Sequence, residues 1–184
     1  MRLIKDTERF AGSRVTLRLL TISDCTQKYV AWLQDPVVTQ YLETRWVPQS
    51  LSTVHRFVES LSTSFDSYLF GIFDNVDSCH IGNIKLGPIN HHHLFADISY
   101  FIGERDRWGR GAATDAICLV SQLGFARLRL HRIQAGVYRP NRASCIALER
   151  AGFVLEAVLP KKLRDGTTWC DQMLYGRLSD ADGA

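Results

Sequence analysis

Residues 107–116, RWGRGAATDA, set Gly109 and Gly111 between bulky or charged neighbours and then run into alanines. A glycine turn leading into a helix exposes first-turn N–H groups that lack intrahelical partners and carry partial positive charge, a combination that favours an anion, most often phosphate. The glycines let such an anion approach the backbone. A pair of glycines alone also suits a plain turn, so the string has to be compared with phosphate loops of known form. The G-K-[ST] of a nucleotide P-loop is absent. A dinucleotide fingerprint needs a third small residue where Thr114 stands, inside a parallel strand–helix–strand unit whose next strand ends in an acid, and 131–138 holds no acid.

Other residue types with chemical potential lie elsewhere. Asp97 interrupts the apolar run LFADISYF; a carboxylate in a partly desolvated cleft has its pKa raised toward the range useful for taking a proton, and it can also anchor an ammonium. His91, His92 and His93 are adjacent, so in a strand they alternate faces and in a turn they point into water; no metal site is expected from them. Cys25, Cys79, Cys118, Cys145 and Cys170 are far apart, odd in number and without a CxxC pair, which reads as reduced thiols. Cys145 has Asn141 and His131 nearby in sequence but no signature of a catalytic thiol.

These residues must be positioned by the elements around them. RVTLRLL (14–20) alternates Val15, Leu17 and Leu19 with polar residues, the period of a half-buried strand. Ser23 and Asp24 suit the cap of a helix bearing Tyr29, Val30 and Leu33 that Pro36 ends. A second helix is predicted over 51–64, and YLETRW (41–46) between the two reads as a loop able to line a site. SYLFGIFD (67–74), HIGNIKLGPI (80–89) and LFADISYFIG (94–103) predict an antiparallel meander. Ala113, Ala116, Ile117, Val120 and Gly124 then mark a helix packed by a stripe of small residues. HRIQAGVY (131–138) predicts a strand, RASCIALERA (142–151) a short helix closed by Gly152, and 153–159 and 168–178 two final strands about an RDGT turn. At 184 residues and 46% hydrophobic content, with no linker-like stretch and no repeat, one domain is expected over 1–184.

In this order of elements, the glycine turn resembles the acyl-CoA pyrophosphate loop of the GNAT superfamily of N-acetyltransferases, Q/R-x-x-G-x-G/A, read here as Trp108-Gly109-Arg110-Gly111-Ala112-Ala113. Trp108 departs from the usual Gln or Arg, but W-G-x-G-x-A-T-x-A is typical of the branch that includes the ribosomal-protein acetyltransferases RimJ and RimL. NRASCIALERAGF (141–153) resembles that branch's N-x-x-S-x-x-x-x-E-x-x-G-F segment, and the resemblance runs from about residue 13 to 178. It implies a mixed α+β fold: a twisted, mostly antiparallel sheet of about seven strands, flanking helices, and a parallel pair, 95–102 and 131–138, that splays apart. It also implies acetyl-CoA as donor, with the pantetheine arm in the splay and the pyrophosphate on the N–H groups of Gly109 to Ala113, and no metal. Arg110 adds charge there, and Arg105, Arg107 or Arg142 could reach the 3′-phosphate. Asn141 would contact the cofactor, cap its helix, or do both. Many relatives place a Tyr acid where this chain has Leu148; Ser144 takes that role by resemblance, and Asp97, where relatives often carry Glu, takes the role of base. Tyr100 and Tyr138 fall near the expected cleft, as site residues or as core aromatics.

The expected reaction is direct attack of a primary amine on the thioester. Similarity of YLETRW and IGNIKLGPI to glycan-synthesis relatives points to a nucleotide-linked amino sugar, with Tyr41, Arg45, Trp46, Lys85 and His55 as acceptor-side residues. A protein N-terminal amine is the alternative, and a CoA-binding regulator without turnover a third reading. The net charge of +3 is scattered, so no nucleic-acid partner is expected. MRLIKDTERFAGSRV lacks the apolar core of a signal peptide, and no stretch reaches the roughly 20 apolar residues of a membrane span, so no membrane partner and a cytoplasmic location are expected. A homodimer is compatible with all of this.

Overall fold

The computed structural model describes residues 3–179. Its frame is one eight-stranded sheet in the order β1-β2-β3-β4-β5-β6-β8-β7. A short β1 (Phe10–Ala11) and β2 (Val15–Leu19) are followed by α1 (Gln27–Gln34), α2 (Pro36–Thr39) and α3 (Leu51–Ser62). The meander β3 (Tyr68–Asp74), β4 (His80–Asn90) and β5 (Phe95–Ile102) leads into α4 (Ala112–Leu128). Then come β6 (Arg132–Tyr138), α5 (Arg142–Arg150), β7 (Val154–Asp165) and β8 (Thr168–Leu178). Every neighbouring pair is antiparallel except β5 with β6.

Strand alternation sorts the side chains into two layers. On one face Leu17, Phe70, Ile84, Leu86, Ala96, Ile98 and Ile133 pack under α4 and α5, which contribute Ala116, Ile117, Val120, Leu123, Cys145 and Leu148. On the other, Leu69 and Phe101 meet Tyr29, Val30, Trp32, Leu33, Val54 and Val58 of α1 and α3. Gly124 lets α4 lie close to the sheet: a Cβ there would come 2.7 Å from Ile133 Cδ1.

The expected mixed fold, meander and parallel pair are all present, and the sheet has eight strands because β1 adds an edge that two residues of sequence do not announce. The first helix starts later than expected. Thr26 caps it, its hydroxyl accepting from the Tyr29 N–H, while Ser23 and Asp24 lie in a 3-10 turn. Pro36 does not merely end α1; it opens α2 at the first-turn position where its missing N–H costs nothing, with Asp35 as cap. YLETRW holds a 3-10 turn, Glu43–Trp46. The strand expected over 153–159 continues to Asp165, with irregular pairing between Leu159 and Leu163.

Asp24 is occupied in a structural ion pair. The Arg18 guanidinium donates to both carboxylate oxygens, at 2.7 and 2.5 Å, and the Thr21 N–H adds a third bond at 2.8 Å. Burial alone would raise this carboxyl, but Arg18 and Thr21 outweigh it and hold it down to about 2. A depressed carboxyl stabilises the fold above its unfolded value of 3.8 and stops doing so as pH falls through about 2. Asp24→Asn should therefore be about 1–3 kcal/mol less stable than the parent in urea melts at pH 7, with the gap closing steadily between pH 4 and pH 2.

Candidate functional site

The parallel pair is short. β5 and β6 register only at Phe95↔Arg132, Ala96↔Ile133 and Asp97↔Gln134. Beyond that rung β5 stays with β4 as far as Ile102, and β6 stays with β8 along its whole length. The two strands part, leaving a wedge whose walls are main chain. At its vertex the Gln134 side-chain amide donates to Asp97 Oδ1 at 3.1 Å.

Following β5 out of the vertex leads to the glycine turn. Gly109 and Gly111 have φ of +73° and +82°, the left-handed region where glycine is least strained. Gly111 is the N-cap of α4 and no side chain caps that end. The first-turn N–H groups are thus open to an anion. Nothing stands within 4 Å of where a Gly109 Cβ would be, so the backbone there is bare. Trp108, which replaces the usual Gln or Arg, turns its indole N–H back to the Ile102 carbonyl at 2.8 Å and ties the turn to the end of β5.

This turn forms one side of a groove of about 640 Å³. Trp108, Gly109, Gly111, Ala112 and Ala113 face Asn141, Arg142 and Ser144 of α5 across it, and Val37, Val38, Tyr41 and Leu42 close a third side. Asn141 caps α5, its Oδ1 accepting from the Ser144 N–H at 3.2 Å. Tyr100 enters from β5 and donates its hydroxyl to the Ser144 carbonyl at 3.2 Å. Burial pushes the Tyr100 phenol up to about 12, so it is protonated throughout the neutral range. Leu148 is fully buried in the core, which leaves no room there for a tyrosine facing the groove.

Asp97 points to the other sheet face, the one shared by Ser99, Lys85 and Phe101. Along β6 on that face, four residues or about 13 Å from Gln134, stands Tyr138. Its hydroxyl donates to Glu43 at 2.7 Å and accepts from Arg45 at 3.2 Å, and Tyr41 packs against its ring. Burial, then the Glu43 carboxylate, pushes the Tyr138 phenol up to about 12. Arg45 also donates to the Arg164 carbonyl and stacks on Trp46. Beside it lies a second hollow of about 530 Å³, lined by Gln34, Thr39, Arg45, Trp46 and Gln49 among others.

The sequence-predicted residues therefore fall into four groups. Tyr41, Trp108, Gly109, Gly111, Ala112, Ala113, Asn141, Arg142 and Ser144 line the groove. Asp97 stands at the wedge vertex, Lys85 on the same sheet face, and Arg45 and Trp46 in the adjoining hollow. Arg110 is exposed and outside the groove wall, and His55 lies half-buried on α3. Two further arginines are already engaged: Arg107 by Asp74 and Asp77, and Arg105 by Asp35 at 3.6 Å. Gln134, Glu43 and the α2 wall escaped sequence reasoning, because each acts through a neighbour distant in the chain. Among the described residues, no group of three or more His, Cys, Asp or Glu side chains is placed to hold a metal ion, and no helix is long and apolar enough to cross a membrane.

The sheet is thus split at a parallel pair, with an uncapped glycine turn at the mouth of the split. The family model described as an acetyltransferase (GNAT) domain matches residues 14–154, and the chain belongs to this family. It is 36% identical over 118 residues to the probable N-acetyltransferase YjcK of Bacillus subtilis (strain 168), covering 64% of this chain and 65% of that relative. It is 30% identical over 155 residues to an N-acetyltransferase, p20, of Bacillus licheniformis, covering 83% and 85%. The solved structure of RimL, a ribosomal-protein acetyltransferase in complex with coenzyme A, superposes with a TM-score of 0.84 at 18% identity, covering 95% of this chain and all of that one (100%). A spermidine N-acetyltransferase from Vibrio cholerae, in complex with CoA and spermine, gives 0.79 at 23% identity, covering 90% and 96%.

Asn141 offers a direct check on its local role. Asn141→Ala should cost about 1 kcal/mol through loss of the α5 cap, while Asn141→Asp, which keeps an acceptor oxygen at the cap, should restore most of it in urea denaturation.

Proposed function

We propose that the chain transfers an acetyl group from acetyl-CoA to a primary amine, and that the amine belongs to a nucleotide-linked amino sugar. The groove fits the donor by its own features: an uncapped helix N-terminus entered through positive-φ glycines, and a wedge of main chain leading inward to a carboxylate. Acetyl-CoA supplies the activated acetyl thioester. Trp108 to Ala113 hold its pyrophosphate, and Asn141 and Arg142 flank it. The open edges of β5 and β6 offer N–H and C=O groups to its amides. Asp97, oriented by Gln134, takes one proton from the incoming amine, directly or through water, as the C–N bond forms. The C–S bond breaks as Ser144, on the first turn of α5, hands a proton to the departing sulfur. One proton leaves nitrogen and one reaches sulfur, so the transfer balances.

The observation that carries the acceptor reading is the second hollow. Tyr41 to Trp46 wall the groove on one side and this hollow on the other, so an acceptor can place its amine near the vertex and a second, larger part beyond it. Trp46, half exposed, suits a base, and Gln34, whose amide nitrogen donates to the Gln49 carbonyl, keeps its side-chain oxygen for a sugar hydroxyl. Lys85 supplies a cation on the Asp97 face, and Arg45 keeps Nε and Nη1 available after its two Nη2 bonds. A protein N-terminal amine is the second reading, favoured by Glu43 and Asp97, two carboxylates on the face an α-ammonium would meet.

The deciding experiment offers acetyl-CoA with a panel of UDP-amino sugars and a panel of N-terminal peptides, scoring thiol release and the acetylated product by mass. Release with the sugars alone is expected, with Asp97→Ala and Ser144→Ala each lowering kcat on the order of 10²-fold or more while CoA affinity holds. Release with peptides alone overturns the sugar assignment. Tight CoA binding with no release from any amine overturns the enzymatic reading in favour of a regulator.

A further inference from the structure

A charge that the sequence gives no reason to associate with the glycine turn is delivered to it by the other end of the chain. Arg14 lies in the turn between β1 and β2, and its side chain packs on Gly111: a Cβ on that glycine would sit 3.1 Å from Arg14 Nε and 3.2 Å from its Cδ. The backbone of Arg14 is fixed on both sides. Its N–H donates to Asp115 at 2.7 Å, and its carbonyl accepts from the Asn75 N–H at 2.9 Å. The same Asp115 carboxylate also accepts the N–H groups of Ser13 and Val15 and the Ser13 hydroxyl. Gly12 is required for this approach, since a Cβ there would meet the Asp115 carboxylate at 2.5 Å.

The Asp115 arrangement explains an acid in the first turn of a helix that is to receive an anion. An Asp there would ordinarily repel a phosphate. Here its oxygens are turned toward the β1–β2 turn and covered by N–H donors, and what they hold in place is a cation. The Arg14 guanidinium makes no hydrogen bond or ion pair among the described residues, in contrast to Arg105 and Arg107, which are paired with carboxylates. An unpaired guanidinium held against Gly111, a positive-φ glycine at an uncapped helix N-terminus, is a donor fork without an acceptor.

We propose that Arg14 binds the pyrophosphate of the acyl-CoA donor, supplied to the α4 turn by the β1–β2 hairpin and positioned there by Asp115. This rests on the reading of the groove as the CoA site. The expected consequence is a direct loss of affinity, with the fold intact because the turn is held by backbone bonds that the side chain does not make.

Calorimetric titration of CoA and of dephospho-CoA into the parent, Arg14→Gln and Arg14→Ala, with Arg56→Gln on α3 as a charge-matched control, tests this. Both Arg14 variants should weaken CoA and dephospho-CoA alike by about tenfold or more, as expected for lost charge-assisted bonds. Their melting temperatures should stay with the parent, and Arg56→Gln should bind as the parent does. A loss seen with CoA but not with dephospho-CoA moves Arg14 to the 3′-phosphate and overturns the assignment. Unchanged affinity in both variants overturns it outright, as does a loss that tracks a lowered melting temperature. If the parent itself fails to bind CoA, the reading of the groove fails and the assignment of Arg14 falls with it, an outcome distinct from a parent that binds and variants that bind equally well.

Discussion

Three rungs of parallel pairing, from Phe95↔Arg132 to Asp97↔Gln134, decide where everything else in the site can be. Past them, β5 is committed to β4 and β6 to β8, so the sheet divides into a five-stranded and a three-stranded part that share only this short seam. Main-chain polar groups facing such a gap require partners, and a folded protein keeps them open only where a ligand or water supplies them. The division is held at a fixed width by helices. α4 packs against β2, β4, β5 and β6, and α5 packs against α4, so one continuous apolar layer crosses the gap on the face away from Asp97. Gly124 on α4 keeps that layer thin, because a larger residue would lift the helix off Ile133.

The wedge is electrically polar along its length. The uncapped α4 terminus and Arg142 stand at the outer end and Asp97 at the vertex, while Glu43 lies on the Asp97 face but well out along β6, bonded to Tyr138. Trp108 fits the same scheme. A Gln or Arg at its position would bring polar donors to the loop, whereas the indole spends its one N–H on the Ile102 carbonyl and fixes the loop to the strand that leads to the vertex.

Most of this was legible in the sequence, and the divide is physical. Elements with a strong period, such as the 67–103 meander and the 112–128 helix, appear where alternation and small-residue spacing put them. The glycine turn and the Asn141–Ser144 cap are also local, determined by φ and by a bond spanning three residues. What could not be read depends on register and on contacts between distant segments. Asp97 meets Gln134 because two strands happen to end their pairing there, and Glu43 meets Tyr138 across 95 residues. Arg110, next to the turn in sequence, is exposed and does not line the groove, while Arg14, nearly a hundred residues earlier, packs against Gly111. Proximity in sequence predicts backbone conformation well and side-chain destination poorly. Ser23 and Asp24 show the same limit on a small scale, since Arg18 claims Asp24 and the helix cap passes to Thr26.

Leu148, where many relatives carry a tyrosine, is buried in the core here. A phenol at that position would be buried in the core layer, outside the groove lining. The phenol on this side of the groove comes from β5, where Tyr100 reaches across to the first turn of α5 and fixes it through the Ser144 carbonyl. Because burial keeps Tyr100 protonated, its hydroxyl is a standing donor. Ser144 is thereby braced by the cap of Asn141 on one side and by a strand on the other. The two tyrosines of the cleft share a protonation state: Tyr100 braces the first turn of α5, and Tyr138 joins β6 to Glu43 and Arg45.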